Sequence, residues 1–222
     1  QQATRVKDYM NYEVMEQMQE YEPEFDSMLF HLPLAGSAFK KVYYDEVEQR
    51  AVSKFVPADD LIVPYTATSL NDAEAVIHIV KMPENELRKQ QVAGFYRDIE
   101  LKPGPMSESE VEKKERELQG ETKGRDEDVF NLLECHVNLD LEGFEDIGQD
   151  GEPTGIKLPY IVTIEENSRN ILSIRRNYEI GDPKRNKIQY FVHFKFLPGL
   201  GFYGFGLIHM IGGLSRTATA AL

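Results

Sequence analysis

The run "FLPGLGFYGFGLIHMIGGLS", Phe196 to Ser215, holds twenty residues without a formal charge. That is the length a helix needs to cross a bilayer. Its composition argues against such a span. Gly199, Gly201, Gly204, Gly206, Gly212 and Gly213 lie within it, with Pro198. Each interior Gly costs a helix about 1 kcal/mol relative to Ala, and a Pro about 3 kcal/mol. Lys195 and Arg216 are the only flanking basic anchors. The segment reads instead as a loop, "LPGLGFYGFG", in which glycine allows positive φ and close backbone approach. A helix is expected to start at "GGLS", with Ser215 as its cap and Ala218, Ala220 and Ala221 as helix formers. The six glycines form a candidate hinge, with Gly212 and Gly213 as its pivot.

The rest of the chain must then supply the core. It has 222 residues, 41% hydrophobic, with twelve Phe and eleven Tyr, which excludes a disordered chain. Asp and Glu outnumber Lys and Arg by 38 to 25, a net charge of −13. Bulk charge of that sign repels nucleic acid and anionic lipid. The single cysteine, Cys135, permits no internal disulfide and fits a reducing compartment. The N-terminus "QQATRVKDYM" has neither an initiator Met nor an apolar leader. With a helix running into the last residue, this leads to the expectation of an internal piece of a longer chain.

Periodicity divides the chain into alternating blocks. Val6, Tyr9, Met10, Val14 and Met18 recur at helical spacing and predict a helix packed by that stripe into the core. Pro23 is expected to interrupt it, with a second helix over Glu24 to Leu34 that stops at Gly36. The period then changes to that of strands. Phe39–Tyr44 and Ala51–Val56 predict a hairpin, and "DDLIVPY" and "EAVIHIVKM" two more strands. A helix follows Pro83 and ends at Gly94. "PMSESEVEKKERELQG" predicts a charged, exposed helix with a Ser107–Glu110 capping box, inside a mobile stretch of about 105–128. Four strand-like runs follow, "DVFNLLECHVNLDLE", "KLPYIVTIEE", "NILSIRRNYE" and "NKIQYFVHFKF". The fold class is α+β, mixed antiparallel strands with flanking helices. Residues 1–196 form one domain, and residues 197–222 a glycine-rich loop with the start of a helix.

Motifs with a catalytic mechanism are missing. No Walker lysine loop, GxGxxG before a helix, or GxSxG occurs, and Ser37 in "LAGSAFK" lacks the elbow pattern. A calcium loop begun at Asp146 fails at Gly148 and Lys157. Cys135 and His136 are adjacent and, on a strand, point to opposite faces, so zinc is disfavoured. A buried Cys beside a half-exposed His is the default. No cofactor and no enzymatic activity are expected. The basic cluster Arg175, Arg176, Lys184, Arg185 and Lys187 is a candidate contact for a DNA backbone or an acidic partner, against a solvated hairpin turn.

Five motifs in series carry a resemblance: "LPLAGSAFKKVYYD", "VPADDLIVPYTATSL", "NELRKQQVAGFYRD", "PYIVTIEENSRNILSIRRNY" and "FLPGLGFYGFGLIHMIGGLSRTATAAL". Together they resemble the portal proteins of tailed bacteriophages, in the podovirus, phage P22-like branch. The resemblance implies a head–tail connector at one capsid vertex of the virion, assembled in the host cytoplasm as a dodecameric ring. Double-stranded DNA would pass through it without sequence specificity during packaging and ejection. The capsid protein, the large terminase subunit and a head–tail adaptor would be its partners, and the terminase would carry the ATPase. Residues 1–196 would be wing-like and the helix near Ser215 a first stem helix. An acidic surface suits a channel that must release DNA. Two other readings stand beside it: another virion ring protein, such as a head–tail adaptor or tail connector, and an enzyme built on Cys135–His136.

Overall fold

The computed structural model describes residues 2–45, 48–102, 129–148 and 150–221. It is an α+β protein with antiparallel sheets. The chain forms two compact units. One comprises residues 1–76 and 188–222, the other residues 77–187. Residues 197–222 therefore share a unit with the N-terminal third of the chain. The predicted charged helix and its capping box lie outside the described residues.

The first unit opens with α1, Gln2–Tyr12, which runs into one π-helical turn at Glu13–Gln17. α2 follows over Tyr21–Ala35. The break between them falls at Met18, before Pro23. Pro23 instead sits in the first turn of α2, where a missing N–H costs nothing. Tyr21, Phe25, Met28 and Leu32 recur at spacings of four and three, and Met28 is buried. α2 lies against the hairpin strands on that side. The α1 stripe is a correction: α1 has no buried residue, and Tyr9 remains 64% exposed. Its periodicity made a helix, but no described element covers its apolar side.

β1, Ser37–Asp45, and β2, Arg50–Pro57, form the expected hairpin, in register from Ala38↔Pro57 to Asp45↔Arg50. β3, Leu61–Ile62, is short. The sheet is completed from the far end of the chain. β8, Phe191–Lys195, pairs antiparallel with β1, placing Phe39 opposite His193. Phe39, Val56, Leu61, Ala67, Leu70, Ala73, Val76, Phe191 and Phe202 make the core.

α2 also closes one edge of this sheet. The Val42 amide bonds to the Tyr190 carbonyl, so the even-numbered residues of β1 face β8 and its odd-numbered ones face β2. The amides of Ser53 and Phe55 therefore point outward from β2. Glu20 accepts the first at 3.3 Å and Glu24 the second at 2.6 Å. Arg50 holds Glu20 at 2.6 Å. Beneath them Lys40 is buried, its Nζ 4.5 Å from the Tyr21 ring centre and 3.3 Å from Ser53 Oγ. Burial pushes the Lys40 amine below its ordinary value.

In the second unit the strand order is β4-β5-β6-β7, with β4 Ala75–Pro83 entering it, β5 Val129–Leu139, β6 Leu158–Glu165 and β7 Ile171–Arg176. β6 is a near-continuous apolar run because it is the inner strand of its trio and almost wholly buried. α3, Glu84–Val92, contributes Leu87 to a core with Tyr96, Phe130, Leu132 and Leu172. The "EENSRN" turn is organised by buried Glu165, which accepts the Asn167 amide at 3.1 Å and the Ser168 amide at 2.5 Å. Burial pushes the Glu165 carboxyl up, but these bonds outweigh it and hold it below the usual range.

Replacing Glu24→Ala takes the acceptor from the Phe55 amide. The expected loss is about 1 kcal/mol of stability, read by urea unfolding, with faster exchange of the Phe55 amide. Glu24→Gln should recover most of both.

Candidate functional site: the glycine junction and the basic strand

α2 ends at Gly36, which takes φ 85° while its N–H bonds back to the Leu32 carbonyl at 2.9 Å. Only glycine adopts that conformation without strain. The loop after β8 returns onto this corner. The Phe196 amide donates to the Gly36 carbonyl at 3.0 Å, and Leu197 and Phe205 exchange two bonds across the loop base. Backbone then lies on backbone. A Cβ on Gly204 would fall 2.4 Å from the Gly36 oxygen, and one on Gly206 2.2 Å from the Leu34 oxygen. None of the six candidate hinge glycines has positive φ. Gly204 and Gly206 serve close approach alone.

Ser37 fastens the corner. Its Oγ accepts the Gly204 N–H at 2.8 Å and lies 3.1 Å from His193 Nε2. After accepting that amide the hydroxyl keeps a proton and a second lone pair, so the contact with Nε2 serves either neutral tautomer of the imidazole. His193, Phe39 and Phe202 form a three-ring cluster, with His193 4.4 Å from Phe39 and 4.8 Å from Phe202 and the two Phe rings 5.9 Å apart between centres. Burial, aided by the Lys195 charge, pushes His193 down from 6.5 to about 4. The imidazole is therefore neutral at physiological pH. A Ser–His contact can mark a nucleophile, but Ser37 is only 2% exposed and already holds a backbone amide. This pair joins positions 156 residues apart, and for that reason the sequence did not disclose it.

The candidate hinge is thus corrected at two points. The last helix, α4, spans Leu207–Ala221. It starts well before Ser215, so Ser215 is not its cap. Ser215 sits inside the helix, where its carbonyl accepts the Thr219 hydroxyl at 3.0 Å. The first turn is tied instead by His209, whose Nδ1 accepts the Gly206 amide at 3.1 Å. Gly212 and Gly213 also lie within the helix and form no break between loop and helix. Gly204 and Gly206 pin the segment rather than bend it. Gly199 is held against the Tyr203 carbonyl within the same loop, whereas Gly201 faces open space.

α4 has no buried residue. Ile208, Ile211 and Leu214, on one side at spacings of three, are exposed, Leu214 at 73%. No helix among the described residues is long and apolar enough to cross a membrane.

The basic cluster is not one surface. Arg175 and Arg176 are adjacent on β7 and point to opposite faces. The Arg175 guanidinium lies 3.7 Å from the Phe95 ring centre, and Arg176 lies 5.6 Å from that of Phe144. Arg185 pairs with Asp146. Lys184 and Arg185 belong to a loop wound around Asp182, whose carboxylate accepts the amides of Lys184 at 3.0 Å and Asn186 at 2.9 Å. Lys187 follows that loop and also has interactions of its own.

The Cys135–His136 pair reverses its expected burial. His136 is 5% exposed and bonded through Nε2 to Glu134 at 2.7 Å, while Cys135 is half-buried. Burial and the Glu134 charge push the Cys135 thiol up, away from the reactive thiolate. Among the described residues, no group of three or more His, Cys, Asp or Glu could hold a metal ion. Neither a protein-family model nor a curated protein matches the sequence.

Two substitutions separate a pin from a pivot. Gly206→Ala should cost about 3 kcal/mol or more, because backbone must yield to the new methyl. Gly213→Ala, with nothing near its Cβ, should raise stability by up to about 1 kcal/mol. Both are read by thermal and urea unfolding.

His193 sets a pH window. Its folded value lies below its unfolded one, so its contribution is complete above 6.5, shrinks as pH falls and levels off near 4. His193→Gln should flatten the stability profile between those pH values, measured by urea titration at each pH.

Proposed function

We propose that this chain is a structural subunit of a viral portal, the head–tail connector through which double-stranded DNA is packaged and ejected. The observation that carries the reading is α4. It leaves a pinned corner with an apolar side that no described element covers. A helix of that kind finds burial against copies of itself. The five serial motifs resembling tailed-phage portals supply the particular assembly, a ring of the dodecameric kind at a capsid vertex. In this proposal α4 begins the stem, and the α+β units are wing-like. The large terminase subunit, a head–tail adaptor and the capsid protein are the proposed partners, and ATP hydrolysis belongs to the terminase. The chain itself is proposed to be non-enzymatic and to act in the virion after assembly in the host cytoplasm.

Negative-stain microscopy of the purified full-length protein tests this. Closed rings with a central opening are expected, and Leu214→Asp should shift the population to monomers with the subunit fold intact by circular dichroism. A protein that remains monomeric across salt and concentration overturns the proposal.

A further inference from the structure

Along β8, no hydrogen bond among the described residues reaches the outward backbone groups of His193 and Lys195. On the opposite edge, β2 has its outward amides taken by Glu20 and Glu24. In the second unit, the Arg97 amide occupies the Leu172 carbonyl on the outer side of β7. The alternation that aims Tyr190 and Phe196 at β1 turns the backbone groups of His193 and Lys195 away from it. Beside that outer edge runs an open cleft of about 490 Å³. Its lining includes Phe191, His193 and Lys195 from β8, and Leu70 and Asn71 from the loop opposite.

An unprotected edge is normally blunted, because it templates pairing with another chain. Here one edge of a three-stranded sheet is closed by carboxylates and the other is left beside a cleft. We propose that the cleft receives an extended, acidic segment of a partner protein, which adds to β8 as a fourth strand. Strand addition draws affinity from main-chain bonds and specificity from side chains at alternate positions. The charges choose the occupant. Lys195 is the one charged residue lining the cleft, and it stands at one end of β8. Lys41, opposite Phe191 in the register, lies over the Phe191 ring at the other end. Asp72, beside the cleft loop, accepts bonds from the Thr68 and Ser69 hydroxyls at 2.8 Å each. His193 is neutral. A strand with carboxylates towards both ends and apolar or hydroxyl side chains between them complements this edge. The inference does not depend on the portal reading.

The test uses isotope-labelled full chain and three acetylated, amidated probe peptides. One is Glu-Val-Thr-Val-Glu, one has both Glu replaced by Lys, and one is the first peptide N-methylated at alternate amides. The acidic peptide should move the His193 and Lys195 amide resonances and slow their exchange. The lysine peptide should bind about tenfold more weakly, the N-methylated one should not bind, and Lys195→Glu should reverse the charge preference. No shifts at millimolar peptide, shifts centred elsewhere, or binding indifferent to N-methylation would each overturn it.

Discussion

The contact on which the first unit depends is backbone against backbone at Gly36, Gly204 and Gly206. No side chain fits there. The contact sets where α2 stops, brings β8 beside β1, and starts α4 from the same corner. Ser37 and His193 lock it from the side, and the ring cluster of Phe39, His193 and Phe202 seals it. A segment that is glycine-rich can be either loose or unusually close-packed. At Gly204 and Gly206 it is close-packed.

That distinction explains what was legible in the residues. The Phe39–Tyr44 and Ala51–Val56 hairpin was readable because alternation and a polar turn are local signals. So were the β4 to β7 strands and the helix after Pro83. The α1 stripe gave the helix but not its burial, since periodicity names a face and does not supply what covers it. The helix start was misplaced at Ser215 because Gly212 and Gly213 read as breakers. In the structure the preceding Leu207–Ile211 turn already commits the backbone to helix, and His209 ties its first amide. The Ser37–His193 fastener left no local trace. The basic run at Arg175 to Lys187 looked like one patch in sequence, yet strand alternation and the partners Phe95, Phe144 and Asp146 disperse it.

Electrostatics in this acidic chain work as much through acceptors as through net charge. Glu20, Glu24 and Glu165 each receive backbone amides at a strand edge or turn, where an unbonded N–H would be costly. For Glu20, burial raises the carboxyl, while the backbone bonds and Arg50 outweigh it and hold it below the usual range. Glu165 behaves alike. Their contributions are present above the unfolded carboxylate range and fade as pH falls through the lowered folded values. His193 acts in the same direction at higher pH. The pattern also distributes interaction potential: carboxylates close the β2 edge, and a lysine at each end of β8 marks the edge that stays open.

The glycine-rich stretch is a clamp at its packed glycines, Gly204 and Gly206. Native-state hydrogen exchange of the Gly204 and Phe205 amides tests it most directly. Both should exchange only with unfolding of the first unit, at the same free energy as the β1–β8 ladder, while Gly201 at the loop tip exchanges freely. Exchange of Gly204 and Phe205 as fast as Gly201, under conditions where the ladder stays protected, would contradict it.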